Sequence, residues 1–181
     1  NIHPLMRGLW QPRLECALDW VEEEVENAPD GREVACVEAW GSMEVDGVRV
    51  HGRADRIDRW PNGEIAIVDY KTGSAPSASM VEEGFALQLG LLGMIARAGG
   101  FKDGGSAPMA FEYWSLAKGR GDEFGVISSP IKRSSRERGV ELEDFLLATE
   151  DYLTGAIATW ITGNEPFTAR LNPDLPDYGT Y

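Results

Sequence analysis

Asp55, Asp69 and Lys71 are the residues whose types and spacing could do chemistry in this chain. Two carboxylates and one ammonium are the minimum for metal-assisted cleavage of a phosphodiester. Carboxylate oxygens hold a hard divalent cation such as Mg²⁺. The cation polarises the phosphate and makes a bound water more acidic. A lysine beside it orients that water or offsets the negative charge of the transition state. An isolated Asp-x-Lys at a strand end is ordinarily a solvated edge. Here an aspartate on the preceding segment and the turn Thr72-Gly73 just after the lysine weigh towards catalysis.

The spacing implies the elements that would carry these groups. Residues 65–68, Ile-Ala-Ile-Val, form a short apolar run between the turn Pro61-Asn62-Gly63 and Thr72-Gly73, the pattern of a buried strand. Alternation puts Asp69 and Lys71 on one side of it and Tyr70 on the other. Residues 48–58 read as the partner strand of a hairpin. Arg53, Asp55 and Ile57 are expected on one face, and Ala54, Arg56 and Asp58 on the other. That register brings Asp55 beside Asp69, and two carboxylates so close repel unless a cation sits between them. Upstream, residues 11–27 carry Leu14, Ala17, Leu18, Val21 and Val25 at helical spacing, and residues 34–45 read as a strand turning at Asp46-Gly47. Downstream, a single helix is expected over about 79–98, with Val81, Phe85, Leu89, Leu92 and Ile95 as a core stripe and Gln88 beside it. Residues 99–106 read as a loop and 108–117 as a fourth strand. A last helix is expected over about 141–162, with Leu142, Phe145, Leu146, Tyr152, Leu153, Ile157 and Trp160 inward.

The segments GRADRID and IVDYKTG, followed by Gln88-Leu89-Gly90-Leu91-Leu92, resemble the nuclease domain of the AddB and RecB type within the PD-(D/E)XK nuclease superfamily. The resemblance is strongest over residues 34–117 and nearest to the AddB subunit of AddAB helicase–nucleases. It implies an α/β, restriction-endonuclease-like αβββαβ core with a mixed central sheet flanked by helices. It also implies Asp55, Asp69 and the backbone carbonyl of Tyr70 as metal ligands, Lys71 as the catalytic lysine, and Gln88 as the helix glutamine that positions substrate or water. The implied cofactor is Mg²⁺ or Mn²⁺. The implied activity is a DNA exonuclease in double-strand-break repair and recombination, with an AddA-type subunit and an N-terminal helicase-like part of the same chain as partners. Three features depart from the pattern. Leu92 stands where the family usually has tyrosine, Ala54 replaces the name-giving proline, and neither His3 nor His51 fills the place of the upstream metal-binding histidine. His51 reads as a strand neighbour. In relatives an acid on the preceding strand approaches the metal; Glu38 lies there, with a surface or strand-pairing role an equal alternative.

Length and composition agree with such a domain. At 181 residues and 43% hydrophobic, the chain is expected to form one domain over 1–181, with a core of about 11–117 and a C-terminal helical flank of about 139–165, as a piece of a longer protein. No signal-peptide pattern and no apolar run of about 18–20 residues point to a cytoplasmic chain without a membrane span. Cys16 and Cys36 form neither a metal pattern nor a disulfide framework, so no iron–sulfur cluster is expected. There is no Gly-x-x-x-x-Gly-Lys-Ser/Thr loop for a nucleotide. The net charge of −13 opposes free-standing DNA binding. Against it stand the acids Glu22, Glu23, Glu24 and Glu26 gathered on one helix, the arginines Arg53, Arg56 and Arg59 expected around the site, and the basic run Lys132, Arg133, Arg136 and Arg138. Two alternatives remain at this point: a nuclease-fold scaffold for DNA holding or subunit docking, and a stand-alone nuclease resembling those of CRISPR adaptation.

Overall fold

A computed structural model describes residues 4–84, 86–105, 107–118, 124–132 and 139–166. His3, Phe85, Arg133, Arg136 and Arg138, each named above, lie outside them. Among the described residues, five strands form one mixed sheet in the order β1-β2-β3-β4-β5. They are β1 Glu33–Val45, β2 Val48–Arg59, β3 Glu64–Lys71, β4 Ala107–Lys118 and β5 Phe124–Ser128. Only β3 and β4 run parallel. The helices are α1 Pro4–Glu26, α2 Ala78–Glu82, α3 Gln88–Arg97 and α4 Leu142–Ala156, which continues as a π turn over Ile157–Ile161.

Turn chemistry sets the two hairpins. Asp46 and Gly47 both adopt positive φ, 49° and 77°, the tight turn whose twist matches the flanking strands. Between β2 and β3, Gly63 at φ 87° closes the second turn, and the Asn62 side chain accepts from the Glu64 N–H at 3.0 Å. Parallel pairing of β3 with β4 requires a crossover, supplied by α2 and α3. The apolar face of α3 buries Leu89, Leu92, Ile95 and Ala96 against Ile57, Ile65, Ile67 and Phe111 of the sheet, with Phe145 and Leu146 of α4 joining the same core.

Four expectations need correction. The helix over 79–98 is two helices. Ser77 caps α2 by accepting from the Met80 N–H, and Gly84 at φ 78° ends the segment under the ring of Tyr152, so the chain restarts at Gln88. Next, α1 begins at Pro4, runs through Pro12, and leaves Leu14 and Leu18 exposed. Its anchor is Trp20, edge-on to Trp114 at 5.4 Å and packed over Gly125. The alternation of β2 also slips. Ala54 lies in the core with Ile57, whereas Arg56 and Asp58 face the opposite side. On β1, the slip is matched by Glu38, which adopts φ 51° where the β1–β2 ladder skips Glu38 and Asp55. Finally, the sheet has a fifth strand, β5, beyond the four the sequence implies; its five residues include a glycine and carry no clear alternation.

Close approach of α3 to its neighbours depends on small residues. A Cβ at Gly93 would lie 2.6 Å from Phe111 and 3.0 Å from Leu146. Gly93→Ala is therefore expected to lower the unfolding free energy by about 1–3 kcal/mol. Gly155→Ala, where a Cβ meets nothing within 4 Å, is expected to raise it by up to about 1 kcal/mol. Urea unfolding of the two variants beside the parent checks both signs.

Candidate active site

The site forms where β2 and β3 part. Their ladder runs from Arg59↔Ile65 to Arg56↔Val68 and then stops, while β3 stays paired with β4 as far as Lys71↔Ser115. At the fork the Asp55 carboxylate takes the place of the next backbone acceptor: its Oδ2 accepts from the Tyr70 N–H at 2.9 Å. In an extended strand the N–H and C=O of one residue point to the same side. The Tyr70 carbonyl therefore also faces the opening towards Asp55.

Asp69 and Lys71 project to the α3 side, as alternation requires, and meet Gln88 in the first turn of that helix. Gln88 Nε2 donates to Asp69 Oδ1 at 2.7 Å, and Lys71 Nζ donates to Gln88 Oε1 at 3.0 Å. Lys71 Nζ stands 2.6 Å from Asp69 Oδ2. The three side chains close a triangle in which one amide bridges an anion and a cation. The helix break at Gly84 is what places Gln88 at a helix start, within reach of the strand end.

The electrostatics leave the site short of positive charge. Asp69 is 2% exposed, and the Lys71 ammonium is the one cation set against its Oδ2 among the described residues. Burial pushes the Asp69 carboxyl above the ordinary carboxylate value; Lys71 opposes that shift, Asp55 adds to it and the Gln88 hydrogen bond opposes it. Beside them, burial and the charge of Asp69 raise Tyr113 far above the usual phenol value. Its hydroxyl is buried without a hydrogen bond, and its ring lies 5.8 Å from Lys71 Nζ. Two carboxylates, one of them buried, and a backbone carbonyl fit a divalent cation in donor type. Among the described residues no group of three or more His, Cys, Asp or Glu could hold a metal, so a cation here would rely on the two aspartates, the Tyr70 carbonyl and water.

The structure thus brings together Asp55, Asp69, Lys71, Gln88 and the Tyr70 backbone. Other candidates lie elsewhere. The His51 ring stacks by Trp40 at 5.9 Å, and Glu38 pairs with Arg53 at 2.7 Å on the exposed face. Arg59 donates to the Asp103 carbonyl. Arg56, expected to surround the site, is buried on the far face of the sheet and bonded to Tyr70 and Asp58, so it cannot hold a DNA backbone. Leu92 is buried against Gly52, where the aromatic hydroxyl of the motif is missing. Tyr113 was not singled out in the sequence; its only signal is its place in an apolar strand, and its register opposite Asp69 emerges only from the parallel pairing.

Comparison with protein families gives a match to the PD-(D/E)XK nuclease superfamily over residues 2–171. No curated protein matches the chain. The mixed sheet with flanking helices is the restriction-endonuclease-like arrangement expected from the sequence. No helix of the described residues is long and apolar enough to cross a membrane.

A raised carboxyl pKa has a defined consequence for stability. The native state keeps its Asp69 proton to higher pH than the unfolded chain. The favourable contribution of Asp69 is therefore full below the ordinary carboxylate range, near pH 4, and is lost as pH rises through the native value. Asp69→Asn removes the buried charge. In metal-free buffer it is expected to raise the thermal midpoint relative to the parent near neutrality, with the difference shrinking towards pH 4; calorimetry across that range decides it.

Proposed function

We propose that this chain, which belongs to the PD-(D/E)XK nuclease superfamily, is a Mg²⁺- or Mn²⁺-dependent deoxyribonuclease of the AddB type. In this reading it cuts DNA as an exonuclease during double-strand-break repair, beside an AddA-type helicase–nuclease subunit and behind a helicase-like N-terminal part of its own chain. The observation that carries the proposal is the convergence of Asp55 and the buried Asp69 on the open fork, with the Lys71 ammonium 2.6 Å from Asp69 Oδ2.

In the mechanism this supports, Asp55, Asp69 and the Tyr70 carbonyl would hold the cation, which would supply Lewis acidity to the phosphate and to water. Lys71 donates a hydrogen bond to the attacking water or to the phosphate oxygen on which charge builds. Gln88 fixes the Asp69 carboxylate and the Lys71 ammonium in one relative orientation, so neither reorganises as the new P–O bond forms and the old one breaks. The leaving oxygen departs on the side opposite the attacking water.

A second reading, a nuclease-fold scaffold that holds DNA or docks a partner, draws on the net charge of −13 and on Leu92 in place of the motif's tyrosine. The two separate in one experiment. End-labelled linear duplex DNA, with a closed circle as control, is incubated with the chain in Mg²⁺, in Mn²⁺ and with chelator. The nuclease reading expects metal-dependent degradation of the linear DNA, abolished by Asp69→Ala and lowered about 10²–10³-fold by Lys71→Ala. Metal-insensitive behaviour shared by parent and Asp69→Ala would establish the scaffold instead.

A further inference from the structure

Behind the fork, on the opposite face of the sheet, lies a buried charged cluster that the nuclease reading leaves without a role. Arg56 Nη1 donates to the Tyr70 hydroxyl at 2.8 Å, and Nη2 donates to Asp58 Oδ2 at 2.9 Å. Its guanidinium lies 3.9 Å from the centroid of the Trp114 ring. Tyr70 meets the same ring edge-on at 6.1 Å. Asp58 Oδ2 also accepts from Arg32 Nε at 2.8 Å, and Arg32 forks onto both Glu112 oxygens at 2.9 Å each. Glu112 in turn accepts from the Trp114 indole at 2.9 Å. The bonds of Glu112 and Asp58 raise Arg32 above its ordinary value although burial alone would lower it.

Such a cluster is a poor device for stability. Desolvating two guanidiniums and two carboxylates costs as much as their attraction returns, and a packed apolar set of similar volume is commonly as stable. What it supplies is geometry. Arg56 spans β2 to β3, and the side chain it grips belongs to the residue between Asp69 and Lys71. The peptide units of Tyr70 carry the N–H received by Asp55 and the carbonyl that faces the fork.

We propose that Arg56 is a positioning residue for the site, acting through the Tyr70 hydroxyl and ring to hold, from the far face of the sheet, the backbone that joins Asp69 to Lys71. Its contact keeps the Tyr70 N–H on Asp55 and the Tyr70 carbonyl towards the fork. The effect on cation binding rests on the metal reading given above; the effect on the Tyr70 backbone does not.

The test uses Tyr70→Phe, which keeps the ring and removes the hydroxyl, and Arg56→Lys, which keeps the charge and removes the fork. Amide hydrogen exchange of the metal-free chain is followed at position 70 and at Ile67, a fully buried β3 residue that reports the core. Both variants are expected to speed exchange at position 70 well beyond any change at Ile67. Mn²⁺ titration is expected to show affinity weakened about tenfold, with the KM for DNA unchanged once Mn²⁺ is saturating. Exchange at position 70 that moves only in step with Ile67 overturns the proposal, whatever the metal result. Should Arg56→Lys fail to fold, Tyr70→Phe decides alone. Failure of the metal reading shows differently, as a parent whose Mn²⁺ uptake is absent or indifferent to Asp69→Ala.

Discussion

A carboxylate buried at a strand end, beside a second carboxylate and with one ammonium for company, is the constraint on which the rest of this structure depends. Asp69 is too enclosed for water to stabilise its charge, and Lys71 is shared with the oxygen of Gln88. Opposite charge within a few ångströms lowers a carboxyl pKa and burial raises it; here burial prevails. The site is therefore anionic and under-compensated before any ligand arrives, and the cheapest remedy available to such a cavity is a divalent cation. Several features elsewhere serve that arrangement. The β2–β3 ladder stops one pair early so that Asp55 can turn to the Tyr70 N–H. The connecting helix breaks at Gly84 so that α3 begins with Gln88.

The two faces of β3 solve opposite electrostatic problems. Towards α3, Ile65 and Ile67 lead into Asp69 and Lys71, an apolar floor ending in an unbalanced charge. Towards α1, Tyr70 leads into Arg56, Asp58, Arg32 and Glu112, two cations and two anions joined by directional bonds. The second set is balanced and needs no further ion. A rigid, neutral back wall lets the front of the same strand carry an unsatisfied charge without its backbone relaxing to relieve it. Preorganisation of this kind lowers the reorganisation needed during a reaction.

The sequence made part of this legible. Asp69, Tyr70 and Lys71 follow simple alternation at the end of an apolar run, and the hairpin turns are written in Asp46-Gly47 and Asn62-Gly63, so the approach of Asp55 to the end of β3 could be read directly. Period-two reasoning failed at Arg56, because the alternation slips across residues 54–57, opposite Glu38, a non-glycine residue held at φ 51° on the neighbouring strand. No local signal marks that. The same limit hid the split of the helix over 79–98: an apolar stripe at helical spacing continues across Gly84, and only the ring of Tyr152, far away in sequence, shows why the chain turns there. The exposed stripe of α1 misled in the other direction, since Leu14 and Leu18 have the spacing of buried residues but stand exposed. Tertiary contacts decided each of these cases.

Net acidity looks like the strongest argument against DNA as substrate, and distance answers it. Charge acts on a phosphate through a Debye length of about 8 Å at physiological salt, so the total of −13 matters less than what lies within that radius of the fork. The acidic cluster Glu22, Glu23, Glu24 and Glu26 belongs to α1, whose Trp20 rests on Trp114, on the face of the sheet that carries Arg56 rather than the one that carries Lys71. The sheet therefore lies between those acids and the α3 side. The acids that do lie at the fork are Asp55 and Asp69, and these are the two a divalent cation would neutralise. In the nuclease reading, binding of substrate at this fork would be coupled to the cation: without it the phosphate would meet two carboxylates and one shared ammonium, and with it the local sign would reverse.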